Sequence, residues 1–408
     1  MTEPEEPPSH ARTDAEPAES SAAAAPSARP GHALTAAESA VAAPATPAES
    51  TAMRRAIELA QTVGVPRGPN PRVGCVILDT DGTPIAEGFH RGAGTPHAEI
   101  VALAAAGDRA RGATAVVSLE PCNHTGRTGP CAQALIDVGV VRVVYAQSDP
   151  NPVAAGGAQR LRAAGVEVVG GILADEAATV NQAWTFAVTQ GRPYVTWKVA
   201  STLDGRIAAA DGSSRWITGP AARAQVHQLR AEADAVLIGT GTALADDPSL
   251  TVRDPQGGYA DRQPIRVVMG RRTIPAEARL RDRHARLRLF PQESPDEVLS
   301  ALIADDVQHV LLEAGPTLSA AFVRAGLVDR VVWYVAGKLL GSGRSAVGEL
   351  GIPTIDSAIS LRITGISRVG DDVRVDATMG PASTGPGPTG PGSTGPGSTG
   401  PGSTGPVS

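Results

Sequence analysis

The sequence predicts an α/β protein of two domains set between two compositionally simple ends. Apolar runs of strand length at 73–78, 115–119, 141–146 and 166–169 alternate with Ala/Leu-rich stretches of helical spacing at 97–107 and 131–139. Such alternation marks a sheet covered by helices. Strand-like runs resume at 194–200, 234–239, 265–269 and 310–312, the last entering a helix. Between the two series, 175–189 has helical spacing and offers Trp184 and Phe186 for packing between domains. The roughly 330 residues left once the ends are set aside suit two domains.

The expected boundaries are 1–50 for an acidic Ala/Pro-rich tail, 51–170 for the first domain, 171–192 for a connection, 193–379 for the second domain and 380–408 for a second tail. Residues 1–50 carry eight acids and two arginines, a net of −6 that equals the formal charge of the whole chain. They hold too little apolar surface to fold, and no basic start leads into an apolar stretch as in a secretory signal. The C-terminal tail repeats Gly-Ser-Thr-Gly-Pro with a period of five, which is linker-like and unlike the three-residue period of collagen. Both tails are expected to be disordered. The near-neutral remainder argues against sequence-independent nucleic-acid binding, which needs a basic face. No apolar run approaches the ~18 residues of a membrane span. A cytoplasmic enzyme is the expected setting.

The chemistry lies in His97-Ala98-Glu99, followed by Pro121-Cys122 and Cys131. One imidazole and two soft thiolates suit Zn²⁺, and three protein ligands leave its fourth position open for water. Glu99, two residues from the histidine, is placed to take a water proton and deliver it to a leaving amine. H-x-E followed by P-C-x-x-C is the zinc-deaminase signature; here eight residues separate the cysteines. Only three cysteines occur, which gives no disulfide framework, and Cys75 falls in the apolar run 73–78 as a core residue. His97 and Cys131 each open a helical stretch, where the positive dipole end favours thiolate and therefore metal. A zinc hydrolase of the deaminase type follows.

These motifs resemble those of the bifunctional riboflavin-biosynthesis deaminase/reductase family. The resemblance rests on Pro69-Asn70-Pro71-Arg72-Val73-Gly74, Gly88-Phe89-His90, Pro96-His97-Ala98-Glu99, the run from Leu119 to Thr128, and Ser148-Asp149-Pro150-Asn151-Pro152. The eight-residue cysteine gap is that family's spacing. The resemblance implies a cytidine-deaminase-like α/β/α domain with His97, Cys122 and Cys131 as zinc ligands and Glu99 as proton shuttle. The implied substrate is a small phosphorylated pyrimidine, a diaminopyrimidinone bearing a ribosylamino 5′-phosphate. Gly129 departs from the family's proline before Pro-Cys, which bears on loop stiffness and not on the ligands.

The resemblance continues from Pro193 to about Gly343 through Ser201-Thr202-Leu203-Asp204-Gly205-Arg206, Ser214-Arg215-Trp216, Asp246-Asp247-Pro248 and Glu313-Ala314-Gly315. It implies a dihydrofolate-reductase-like α/β domain that uses NADPH to open the ribose to a ribityl chain. Ser214, Arg230, Leu250, Arg253 and Glu313 fall at substrate positions of the pattern. Ala200, Trp216, Thr242 and Asp246 fall at cofactor positions, with Gly315, Pro316, Thr317, Leu318, Ser319, Ala320 and Ala321. Chemically, the two strand–Gly turns supply free N–H groups for a phosphate. Arg230 and Arg253 could each grip a phosphate, and Glu313 could anchor ribose hydroxyls.

Two departures stand out. Gly270-Arg271-Arg272 replaces the family's usual Asp-Ser, and either arginine is placed to pair with the 2′-phosphate of NADPH. Ala314 replaces a common glycine and could crowd the pyrophosphate. Family members often associate through the reductase domain, so a homodimer is expected. Two other readings exist: a nucleobase or nucleoside deaminase with an inactive second domain, and a zinc-stabilised module in which His90 or His124 closes the metal sphere.

Overall fold

The computed structural model describes residues 43–379 except 63, 66, 67, 126–128 and 255. The C-terminal tail, most of the N-terminal tail and Gly126-Arg127-Thr128 of the cysteine loop lie outside the described residues.

The first domain runs α1 (Pro47–Ala60), β1 (Gly74–Leu78), β2 (Pro84–Phe89), α2 (Ala98–Ala106), β3 (Thr114–Leu119), α3 (Cys131–Val138), β4 (Arg142–Gln147), α4 (Gly157–Ala163) and β5 (Glu167–Gly170). Its sheet has the order β2-β1-β3-β4-β5. Strand β1 is antiparallel to both neighbours, whereas β3, β4 and β5 are parallel. Both faces are buried, so the strands read as continuous apolar runs. Cys75 and Ile77 pack with α2, α3 and α4, while the alternate Val76 and Leu78 pack with α1.

The folded chain starts earlier than the expected residue 51. Thr46 and Glu49 form a capping box around Pro47, the first residue of α1. Glu49 looks like one more tail acid, yet it is 4% exposed and ion-paired at 2.6 Å with Arg142 of β4. Composition conceals it because the Ala/Pro/Glu bias runs on into a real helix. Edge strand β2 also escapes the periodicity, since only one of its six residues is buried.

The connection is two helices, α5 (Ala174–Val180) and α6 (Gln182–Gln190), where one was expected. They break at Asn181, whose side chain bonds the backbone of Arg72 in the first domain. Trp184 enters the first domain's core. Phe186 packs edge-on against Tyr194, the first residue of the second domain's sheet, at 5.4 Å.

The second domain comprises β6 (Tyr194–Thr202), β7 (Arg206–Ala208), α7 (Pro220–Glu232), β8 (Ala235–Gly239), α8 (Thr240–Asp246), β9 (Ile265–Met269), β10 (Leu287–Phe290), α9 (Pro295–Ile303), β11 (His309–Leu312), α10 (Pro316–Arg324), β12 (Arg330–Ala336), β13 (Arg344–Ser345), β14 (Leu361–Val369) and β15 (Asp372–Met379). Its main sheet has the order β10-β9-β8-β11-β6-β12-β15-β14. The first six are parallel and the last two close as an antiparallel hairpin. Helices α9 and α10 cover one face and α7 and α8 the other. The doubly covered parallel sheet places its loops at the carboxyl ends of β8, β9 and β11, where such sheets bind ligands.

Candidate active sites

In the first domain, His97 is the N-cap of α2 and Cys131 the first residue of α3. Cys122 lies on the loop after β3. Asn123 N bonds Ala154 O (2.8 Å), and a Cβ on Gly157 would collide with the Pro121 carbonyl, so only glycine lets α4 approach this loop. His97 Nδ1 lies 3.2 Å from Cys131 Sγ and 3.6 Å from Cys122 Sγ. All three donor atoms fall within 4.8 Å of one another. That spacing suits a tetrahedral ion with bonds of about 2.0–2.3 Å.

The electrostatics fit a cation. Hydrogen bonds from Cys131 and His97 hold the Cys122 thiol down to about 4, while sharing with Cys122 and burial push the Cys131 thiol up. Thiolate character at Cys122 suits a soft cation, which binds the deprotonated sulfur. Glu99 follows in the first turn of α2 and is 3% exposed. Burial and the Cys122 thiolate push its carboxyl up to about 7. Among the described residues no other His, Cys, Asp or Glu joins the ligand cluster. His90 has both ring nitrogens engaged, Nδ1 with Pro96 O (3.0 Å) and Nε2 with Asn70 (3.1 Å). Its ring meets His97 edge-on at 5.2 Å. Among the described residues the cluster therefore supplies three ligands.

It opens into a cavity of about 150 Å³ walled by residues 69–71, His90, His124, Asp149, Asn151 and Trp184. Asp149 is pushed up to about 6, chiefly by burial. Nearby Glu120 accepts from the N–H groups of Asp149 and Ala158, so its role there is structural. His124 Nδ1 is buried without a hydrogen-bond partner.

In the second domain, Gly239 and Gly315 are the N-caps of α8 and α10, and neither helix has a side-chain cap. Free first-turn N–H groups suit a phosphate. A Cβ placed on Gly315 would meet nothing closer than Thr242 Oγ1 at 3.9 Å, so space stands open over this turn. Leu318 lies against Gly239. Ser319 bonds Ala314 O, and Ala320 is buried. Ala314 is partly buried and packs against the apolar core.

Arg230 and Glu313 meet in a bidentate pair, Nε to Oε1 at 2.6 Å and Nη2 to Oε2 at 2.9 Å. This corrects the expectation that Arg230 offers its fork to a phosphate: the buried carboxylate takes it. Lys198 on β6 completes the cluster. Burial lowers its ammonium below the usual range against the pull of Glu313. In the sequence it is one residue of an apolar run; the signal is that a lysine inside a buried strand needs a partner. Arg253 is exposed and stacks over Tyr259 at 3.9 Å. Leu250 is buried with a positive φ of 49°. Asp246 O accepts from Arg215, and Trp216 is exposed with Arg223 over its ring at 4.5 Å. Ala200 and Ser214 are partly buried. Arg271 and Arg272 border a separate cavity of about 220 Å³ beside Thr240 and Gly270.

Fold and sites together define a zinc deaminase fused to an α/β reductase. Residues 47–147 match the model of the cytidine and deoxycytidylate deaminase zinc-binding region, and residues 193–375 match that of the RibD C-terminal domain. The chain is 49% identical over 323 residues to the riboflavin biosynthesis protein RibD of Mycobacterium tuberculosis, covering 79% of this chain and 95% of that one. Acinetobacter baumannii RibD superposes with a TM-score of 0.76 at 40% identity, over 82% of this chain and 99% of the other. A Thermotoga maritima diaminohydroxyphosphoribosylaminopyrimidine deaminase/5-amino-6-(5-phosphoribosylamino)uracil reductase superposes with a TM-score of 0.75 at 34% identity, over 81% and 99%. The chain belongs to the RibD family, the bifunctional deaminase/reductases of riboflavin biosynthesis.

Proposed function

We propose that the two sites act in sequence on one phosphorylated pyrimidine. The first removes an amine from 2,5-diamino-6-(5-phosphoribosylamino)pyrimidin-4(3H)-one as ammonia. The second reduces the ribosyl group, giving 5-amino-6-(5-phosphoribitylamino)uracil. The observation that carries this reading is the cluster of His97 Nδ1 and two thiol sulfurs with Glu99 buried behind it. When bound there, zinc lowers the pKa of water towards about 7. Glu99 takes up the water proton and hands it to the departing amine. Residues 69–71 and Trp184 wall the ring's site.

In the second domain the Gly315 turn and Thr242 receive NADPH, which supplies the hydride. Glu313, held by Arg230, and Lys198 border the sugar. Ser214, Leu250 and Arg253 belong to the substrate side, and Ala200, Trp216 and Asp246 to the cofactor side. We assign 47–170 to the deaminase, 171–192 to the connection and 193–379 to the reductase. A homodimer through the reductase domain is part of this reading: edge strand β14 leaves Ile363 58% and Ile366 67% exposed. Among the described residues no helix is long and apolar enough to cross a membrane, and a cytoplasmic setting accords with this.

Mass spectrometry of the substrate after incubation with zinc-loaded protein tests the reading. The expected products are deaminated compound alone without NADPH, and deaminated plus reduced compound with it. No change in either sample would sink the proposal.

Arg271 and Arg272 bear on cofactor choice. Among the described residues neither makes an ion pair or hydrogen bond, and both border the cavity beside the strand ends to which this reading assigns NADPH. Replacing both with alanine is expected to weaken NADPH binding about 10-fold or more and NADH binding little, as titrated by quenching of protein fluorescence; losing a charged hydrogen-bonded contact is worth roughly 1.5–3 kcal/mol. Equal losses for the two nucleotides would exclude the 2′-phosphate contact.

A further inference from the structure

The segment 68–72 lies just before β1 and walls the zinc cavity through Pro69, Asn70 and Pro71. Its inner end reaches the metal site: Asn70 bonds His90, and His90 abuts the ring of His97. Its outer end is held by groups that the deaminase layer does not supply. Asn181, at the break between α5 and α6, accepts from Arg72 N at 2.8 Å and donates to Arg72 O at 2.9 Å. Gln308, from the reductase domain, donates Nε2–H to Pro69 O at 2.8 Å.

Gln308 is framed to do this. Its N–H and that of His309 both donate to Asp234 Oδ2 at 3.0 Å, and its carbonyl accepts from Tyr194 N at 2.8 Å. Asp234 is itself ion-paired with Arg262. Gln308 is 7% exposed, so its side chain has little freedom to swing away. The fit leaves no slack at Gly68, where a Cβ would stand 2.8 Å from Gln308 Oε1. Gln308 immediately precedes β11, whereas the Gly315 turn follows that strand.

We propose that Gln308 is a positioning residue for deamination: the reductase domain sets the wall of the deaminase pocket through Gln308–Pro69–Asn70–His90. The proposal rests on the deaminase reading of the zinc cavity. Wild-type ammonia release tests that reading, and the ratio of variant to wild type tests the proposal. Gln308 touches no reacting atom, so its loss misplaces the ring's binding wall and leaves the zinc ligands and Glu99 in place.

Gln308→Ala is expected to raise the deaminase KM about five- to tenfold, the worth of one partly buried hydrogen bond. The deaminase kcat should stay within about twofold, because Glu99 and the ligands are untouched. Zinc content should remain one ion per chain. Reduction of the already deaminated compound should be unchanged. Gln308→Met keeps the shape without the donor and should reproduce the KM effect; a wild-type KM for it would overturn the proposal. Gly68→Ala pushes on the same contact from the deaminase side. Its penalty should shrink when combined with Gln308→Ala, whereas additive penalties would show that the two residues do not act through one contact and would also overturn it.

Discussion

Glu99→Gln is expected to keep the zinc and the fold and to lower ammonia release by about 10²–10⁴-fold, the usual worth of a positioned acid–base group. The side chains are nearly isosteric, and Glu99 sits 3% exposed in the first turn of α2 beside the metal ligands. A glutamine fills that space but cannot accept a proton from water. Burial favours the protonated carboxyl, so a proton taken from water is held at Glu99 until the amine leaves. The reductase half should be spared, so reduction of pre-deaminated compound is the internal control. The measurement pairs zinc content with ammonia release. Undiminished release from a zinc-loaded variant would move the proton transfer elsewhere, and Asp149, the other cavity carboxyl pushed upward by burial, would be the next residue to replace.

That site is legible in the sequence because its parts are local. His97 and Glu99 are two residues apart, Cys122 and Cys131 bound one polar loop, and two thiols so placed after a His-x-Glu point to a metal. Strands covered on both faces are legible for a similar reason: burial leaves continuous apolar runs such as 74–78 and 235–238. What escapes is non-local. Glu49 looks like one more tail acid until Arg142, 93 residues on, comes beside it. Arg230 looks free until β11 brings Glu313 against it across 83 residues. Lys198 is masked by the apolar run that buries it. The break at Asn181 rests on one asparagine inside an otherwise helical run, and its side chain serves the backbone of Arg72, far away in sequence.

Glu313→Ala is expected to destabilise the reductase domain by about 3–5 kcal/mol and to abolish reduction, while deamination persists. Removing one partner of a buried pair leaves the other charge uncompensated, and here two cations depend on the same carboxylate. The Arg230 and Glu313 side chains are 16% and 9% exposed, and Lys198 is held below its usual range by burial. Burial alone would raise Glu313, but the charge and bidentate hydrogen bonds of Arg230 more than offset it and hold the carboxyl below its ordinary range.

A depressed carboxyl binds protons less readily folded than unfolded. Its stabilisation is therefore full above the ordinary carboxylate range and is lost as pH falls through that range and below. Urea unfolding of wild type should weaken along that acid limb more steeply than unfolding of Glu313→Gln. The double variant Arg230→Met/Glu313→Leu separates support from chemistry. Glu313→Ala leaves two cations uncompensated whereas the double variant leaves only Lys198, so the double variant should unfold later in urea than Glu313→Ala yet still fail to reduce substrate. Recovery of reduction along with stability would mean that the pair only holds the fold. Stability without reduction would place Glu313 at the sugar.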